Sequence, residues 1–456
     1  MTRALALEGM FTGSKIDSNW KEDAMRKLTV KNFSVIKEAE LEFGKITVLI
    51  GPQSSGKSLL CKLAYFLSKE VLEYAVASLM GGISLDEFKV GLVHAFQSRF
   101  FNNGWLKKDS SAEFVANRYS VRVFGAGDFR NPDIFFNLSP DFESLYTNLL
   151  MSQPDRDFAL VQSRQDQQDE VWTQLNLLLS APFVCESLYV PAGRAFFTDT
   201  SKGFSALQNT DIDPLIRQFA SEIAWGDRWR VGLTTAGDDV LEEIRKTMIR
   251  IAQGQVVVTT NFPSFLGLDG RYISLALLSS GTQELLPLFN VLDRLASLQE
   301  HREVSRNATR TPPFDRPPVG SKKLIYLEEP EANVFPSTQY ELVRLFARLS
   351  HEPRLDFSWV ITTHSPYILT AFNDLIKAGH IAAQRPDKAE EIEKIVPRQY
   401  WIKPSDFAAY AFDGKDGILH PIMDDETKMI NGDVLDDISE TISGEFGQLL
   451  EIQYGD

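Results

Sequence analysis

An α/β fold built around a strand–loop–helix unit is what this sequence predicts, and three adjoining stretches predict it. Residues 51–58 read Gly-Pro-Gln-Ser-Ser-Gly-Lys-Ser, a complete G-x-x-x-x-G-K-S pattern. Before it, Ile46-Thr47-Val48-Leu49-Ile50 is a short β-branched run suited to a buried strand. After it, Leu59, Leu60, Leu63, Ala64 and Leu67 recur at helical spacing. In that order the loop N–H groups and the helix N-terminus converge on phosphate oxygens. Gly51, Pro52, Gln53, Ser54, Ser55 and Gly56 then form the cradle, Lys57 reaches the β and γ oxygens, and Ser58 holds Mg²⁺. The expected ligand is a nucleoside triphosphate, ATP, with Mg²⁺.

Upstream, residues 1–25 show no periodicity and read as a poorly ordered leader. From Arg26 the chain alternates: Leu28 and Val30, then Ala39, Leu41 and Phe43, as in a two-stranded hairpin feeding the loop strand. Residues 26–72 therefore form one lobe carrying the phosphate loop. Residues 73–270 mix short helical patterns with strand-like runs such as Tyr119–Val123 and Ser187–Val190, and read as an α+β insert lobe. Phe158 to Leu179 reads as a helix, too short for the heptads of a long coiled coil. Residues 300–320, with Pro312-Pro313 and Pro317-Pro318, read as a polar linker.

The last lobe, 271–456, holds three further patterns. Leu278-Ser279-Ser280-Gly281-Thr282-Gln283-Glu284 opens an apolar helix and offers a second anion-binding N-terminus. Leu324-Ile325-Tyr326-Leu327 runs into Glu328-Glu329-Pro330-Glu331, a buried strand ending in acids that can serve a Mg²⁺ shell and an attacking water. Phe357 to Ile361 is another strand, ending at Thr362-Thr363-His364-Ser365-Pro366. Beyond it lie strand-like runs at Tyr400-Trp401-Ile402 and Ala408–Phe412, a turn at Asp413-Gly414, and a final helix with Leu435, Ile438, Ile442, Phe446 and Leu449 on one face.

Composition limits the function. At 456 residues the chain can fill two or three domains. A net charge of −15 tilts toward protein partners rather than nucleic acid, though a local basic groove leaves direct DNA binding open. No apolar run of about 18 residues could span a membrane. Two cysteines, Cys61 and Cys185, fit a cytoplasmic protein, and six scattered histidines form no zinc or HNH-type cluster.

Taken in order, GPQSSGKS, LSSGTQE, LIYLEEPEANVFP and ITTHSP resemble the ATP-binding-cassette superfamily, and within it the cytosolic branch of SMC, RecF and OLD-type ATPases. The resemblance covers 26–70 and 270–375 well, and 395–452 in general pattern. It implies an ABC-type P-loop ATPase head, a mixed sheet with flanking helices, and an insert lobe between the Walker A loop and the signature motif. It also implies a homodimer or higher homo-oligomer in which the signature loop of one copy closes over ATP held by another. By position, Ser279 and Gly281 would contact the γ-phosphate in trans, with Ser280 and Gln283 beside them. Glu328 matches the Mg²⁺-shell acid, Glu329 the catalytic carboxylate and His364 the switch histidine, with Lys57 completing the catalytic set. Asn333 falls in the loop that crosses the dimer interface. The signature departs from Ser-Gly-Gly-Gln, and Gln97 is the candidate for the glutamine after the first insert strand. Tyr189-Val190-Pro191-Ala192-Gly193-Arg194 looks like a segment of OLD-type ATPases, with Arg194 either reaching nucleotide or partner, or lying at the surface.

The gap between Lys57 and Ser279 holds a globular insert but no SMC arms, and the chain beyond His364 leaves little room for a Toprim nuclease. Asp424-Asp425 and Asp436-Asp437 read as a turn and a solvated helix face. Stand-alone ATPases of this kind resemble the sensors of bacterial anti-phage systems: first AriA of PARIS, which holds a Toprim-type AriB nuclease, and second PtuA of Septu, paired with an HNH nuclease. The implied function is an ATPase that holds an effector nuclease and releases or activates it on a phage protein trigger. A DNA-repair ATPase of RecF or SMC type is the alternative.

Overall fold

The computed structural model describes residues 26–100, 108–126, 133–152, 168, 170–175, 186–199, 213–224, 239–259, 262–305, 323–414, 416–431, 444–445 and 448. The expected leader, Cys185, Asp436-Asp437 and nearly all of the final amphipathic helix lie outside these residues. Of the helix expected over 158–179, residues 170–175 are described as helical.

Strands β1 (Arg26–Phe33) and β2 (Ile36–Glu42) form the expected antiparallel hairpin, with Leu28 opposite Leu41 and Val30 opposite Ala39. The apolar partners are buried because alternation puts them on one face. β3 (Ile46–Ile50) leaves this sheet and is buried throughout. Helix α1 (Lys57–Tyr65) follows, continuing through a π turn at Phe66–Glu70 into α2 (Val71–Met80) and then α3 (Leu85–Phe100). β4 (Ser111–Ala116), β5 (Tyr119–Ala126) and β6 (Asp133–Leu138) extend the hairpin into a sheet ordered β2-β1-β4-β5-β6, before α4 (Pro140–Ser152). The π turn fastens the two sheets together. Ser68 Oγ lies 2.9 Å from Tyr326 OH, and Tyr119 OH donates to Leu67 O at 3.1 Å.

The second sheet gathers strands from distant parts of the chain. They are β7 (Glu186–Val190), β11 (Lys323–Glu328), β12 (Phe357–Thr363), β13 (Phe407–Phe412) and β14 (Leu419–Pro421), in the order β14-β13-β3-β12-β11-β7. All pairs are parallel except β13 with β14, so the sheet is mixed. β7, which the sequence places inside 73–270, thus forms the edge of this sheet beside β11. Between β7 and β11 in sequence, β8 (Gly254–Thr259), β9 (Phe262–Gly267) and β10 (Tyr272–Ser274) make a separate small antiparallel sheet.

Helices cover both faces. Val48, Ile50, Ile325, Leu327, Trp359 and Ile361 face a core closed by α5 (Pro214–Ala224), α6 (Asp239–Ala252), α7 (Ser280–Ser305), α8 (Pro336–His351) and α9 (Pro366–Gln384). The alternate residues Leu49, Leu324, Tyr326 and Val360 face a second core with α1–α4 and the antiparallel sheet. Burial on both faces explains why these strands read as continuous apolar runs. The α/β class, mixed sheet and flanking helices expected of a P-loop ATPase head are therefore present. Trp359 anchors the first core: it is fully buried, packs on Phe346 at 4.6 Å between ring centroids, and donates from Nε1 to Ser350 Oγ at 3.0 Å. Trp359→Ala is expected to cost about 3–5 kcal/mol. Urea unfolding checks this, and a midpoint equal to wild type would refute it.

Two expectations are corrected. Tyr400-Trp401-Ile402 is no strand; Arg398–Tyr400 is a 3₁₀ turn between Pro397 and Pro404. Trp401 Nε1 donates to Val396 O at 2.7 Å and Ile402 N to Leu375 O at 3.1 Å, so packing on α9 overrides the β preference of the aromatic pair. Residues 300–305 belong to α7 rather than to the linker.

Candidate functional site

Register brings the strand ends together. Ile50 lies beside Thr363 and Ala411, Glu328 beside Thr362, and Leu327 beside Val190. Ligands of open α/β sheets bind beyond such carboxyl ends. The loop 51–58 leaves β3 there, with Pro52, Gln53 and Ser54 exposed. Gly51 is pressed against β13: a Cβ on it would sit 2.6 Å from Phe412 O. Ser54 takes a positive φ of 61°, and Ser55 N donates to Pro52 O at 3.4 Å. Ser58 stands in the first turn of α1.

Lys57 is folded into this loop. Its Nζ donates to Gly51 O at 2.8 Å and Pro52 O at 2.7 Å, with Ser55 Oγ at 3.4 Å. Burial pulls its ammonium down to about 8, against the upward pull of Glu329, Glu331 and Glu328. A bound phosphate would restore the proton. Nucleotide affinity is therefore expected to fall about tenfold per pH unit above about 8, with a proton taken up on binding. Titrating a fluorescent ATP analogue in chelator between pH 7 and 9 tests this; a flat affinity would refute it.

The acids after β11 are each held differently. Glu328 is buried; its Oε2 accepts from Ala192 N at 3.2 Å, while its Oε1 has no protein partner. Glu329 adopts a left-handed φ of 41°, its N–H donating to Thr362 O at 2.9 Å. That turn carries its Oε1 to 3.2 Å from His364 Nε2. Glu331 binds the same strand end, accepting from Thr363 Oγ1 at 2.8 Å and His364 N at 2.6 Å. The sequence reading gave Glu331 no role; its signal was a third acid at the close of a Glu-Glu-Pro-Glu run. Glu331 Oε2 and Thr362 Oγ1 are likewise buried without a protein partner.

The opening residues of the signature segment are held by contacts of their own. Ser279 caps α7, its Oγ accepting from Thr282 N at 3.3 Å and its carbonyl from Gln283 N at 2.9 Å. Gln283 Nε2 donates to Leu275 O at 3.0 Å, while Ser279 and Ser280 face outward. Gly281 touches the loop after β11, where a Cβ would meet Asn333 O at 2.6 Å. Among the described residues, no hydrogen bond or ion pair joins 279–283 to 51–58. Leu277, Phe335 and Tyr367, respectively beside the signature, after Asn333 and after His364, are 79, 75 and 56 % exposed.

Arg194 is not at the surface, and among the described residues no hydrogen bond or ion pair joins it to residues 51–58. It is 1 % exposed, and its guanidinium reaches Glu328 O, Glu329 O, Pro191 O and Glu284. Gln97 lies within α3 rather than at a strand end. Cys61 is fully buried and its thiol is pushed up by burial, in keeping with a small packed hydrophobe. Asp424 and Asp425 belong to a turn, as expected, where Asp424 Oδ1 accepts from Thr427 N and Glu426 N.

A family model described as an AAA ATPase domain matches residues 128–369. No curated protein matches the sequence. Among solved structures, the chain is similar to an SMC head bound to the C-terminal winged-helix domain of ScpA, at 11% identity over 88% of this chain and 97% of that one, with a TM-score of 0.40. It is similar also to the SMC head domain of Thermotoga maritima, at 14% identity over 76% and 92%, with a TM-score of 0.32. A third is an SMC head with an extended coiled coil from Pyrococcus furiosus, bound to the C-terminal domain of ScpA, at 11% identity over 92% and 99%, with a TM-score of 0.37.

Proposed function

This chain belongs to the AAA ATPase domain family, and on that premise we propose that it hydrolyses ATP at sites shared between two copies and uses the ATP-bound assembly to restrain an effector nuclease. The observation that carries the hydrolytic part is the meeting of Glu329 and His364 at the strand ends where Lys57 and Glu328 also converge. Lys57 and the loop N–H groups bind the β and γ phosphates, Glu329 takes the proton of the attacking water, and His364 holds that carboxylate in place. Ser58 and Glu328 would hold Mg²⁺, which neutralises charge on the phosphate oxygens. Ser279, Ser280, Gly281 and Gln283 serve the γ-phosphate of a second copy. Their outward position, and the exposed Leu277, Phe335 and Tyr367 that follow or precede the motifs in sequence, support a surface that closes on another molecule.

The finer role is that of an anti-phage sensor resembling AriA. Its partner would be a Toprim-type nuclease like AriB in preference to an HNH type, and its trigger a phage protein. The net charge of −15 and the compact insert support this reading. Among the described residues, no helix is long and apolar enough to cross a membrane. Tagging the Glu329→Gln variant, expressing it with its neighbouring genes and identifying what co-purifies in ATP tests the role. A stoichiometric nuclease supports it. A homodimer carrying only DNA, with an affinity falling steeply as salt rises, replaces it with RecF- or SMC-like repair.

A further inference from the structure

Arg194 is buried among three segments that the motifs treat as separate. Its backbone N–H donates to Glu284 Oε2 at 2.8 Å, and its Nε lies 3.3 Å from Glu284 O and 3.5 Å from Glu284 Oε2. Its Nη1 donates to Glu328 O at 2.6 Å and Pro191 O at 3.0 Å, and its Nη2 to Glu329 O at 3.0 Å. One side chain therefore joins the end of β7, the first turns of α7 and the backbone of both acids after β11. Only a planar guanidinium fork serves these acceptors together; a lysine ammonium acts from a single point.

We propose that Arg194 is a positioning residue that ties the aim of the Glu329 carboxylate to the placement of signature helix α7. The inference rests on the ATPase reading above. Glu284 sits one turn beyond Ser280, on the helix whose opening residues face outward. A phosphate docking on Ser279–Gly281 bears on that first turn, and Glu284 moves with it because a helix turn is stiff. Glu284 carries Arg194, and Arg194 holds the carbonyls of Glu328 and Glu329. The Glu329 carbonyl belongs to the residue whose φ of 41° sends its carboxylate to His364. Burial leaves no slack along this path, since close-packed interiors pass displacement on rather than absorb it. A second contact runs beside it, from Gly281 to Asn333 O. Each copy would thus sense, through its own α7, that a partner's nucleotide is seated, and set its own Glu329 accordingly.

The test uses the full-length protein and compares Arg194→Lys with wild type. Three quantities are read: the affinity for a fluorescent ATP analogue, the turnover number at saturating ATP, and the thermal midpoint. Turnover is expected to fall about 100-fold, the scale of a misplacement of about 1 Å, with affinity within about twofold of wild type. In the Glu329→Gln background, Arg194→Lys is expected to cause no further loss of residual turnover, because both changes remove the same function. A merely structural arginine would lower the thermal midpoint and reduce turnover by the same factor in both backgrounds. That result overturns the proposal, as does wild-type turnover in Arg194→Lys. If Arg194→Lys does not fold, Glu284→Gln carries the same measurements, since it leaves the guanidinium on the Glu328 and Glu329 carbonyls. A wild-type protein that neither binds nor hydrolyses ATP overturns the ATPase reading itself and is seen before any variant is made.

Discussion

Glu329→Gln is expected to slow ATP hydrolysis about 10²- to 10⁴-fold while leaving nucleotide affinity nearly intact. That range corresponds to about 3–5 kcal/mol of lost transition-state stabilisation. The amide matches the carboxylate in size and still offers His364 Nε2 a partner across the present 3.2 Å. It cannot accept a proton from water. The left-handed turn at Glu329 is fixed by its N–H bond to Thr362 O and by the Arg194 grip on its carbonyl, and a glutamine leaves both in place. ATP should therefore persist on the variant and hold two copies together. Single-turnover assays with size-exclusion chromatography in ATP measure both effects. Hydrolysis at the wild-type rate would remove Glu329 from the role proposed for it.

Lys57→Ala is expected to weaken ATP binding about 10- to 100-fold, from the loss of charge-assisted hydrogen bonds worth about 1.5–3 kcal/mol. A second loss accompanies it. The ammonium ties Gly51 O and Pro52 O from inside the loop, and alanine leaves these carbonyls without it. The loop then loses its preset shape as well as its charge. Equilibrium titration with a fluorescent nucleotide reads the affinity, and a phage challenge of cells carrying the protein with its neighbouring genes reads the proposed defence role. Unchanged affinity with intact defence would refute both the phosphate contact and its importance.

The legible and illegible parts of this molecule divide on a physical line. β3, β11 and β12 were readable because burial on both faces demands runs such as ITVLI and FSWVI, which few other environments select. The phosphate loop was readable because its spacing is local. Arg194 was not, because its partners lie about 90 and 135 residues away in sequence and nothing around it marks an arginine as buried. Glu331 was hidden by its neighbours: three acids in four residues look alike until the backbone turn aims one at His364 Nε2 and another at His364 N. Tyr400-Trp401-Ile402 is ambiguous in sequence because aromatic and β-branched residues suit a strand, and equally suit a turn packed on a helix. Polarity at residues 300–305 suits the end of a helix as well as a linker, and the first proline of that stretch comes only at Pro312.

The strand order of the main sheet bears on how the chain is made. β3 is made before both of its neighbours, β12 and β13, which are built from residues 357–363 and 407–412. Until the chain has been translated through β13, β3 lacks one or both of its edge partners and Gly51 lacks the Phe412 carbonyl it packs against. Such non-local pairing folds slowly and leaves apolar edges open to other nascent chains. The half-made protein is therefore a natural client for chaperones. Truncation anywhere before β13 should therefore yield aggregate instead of a folded fragment.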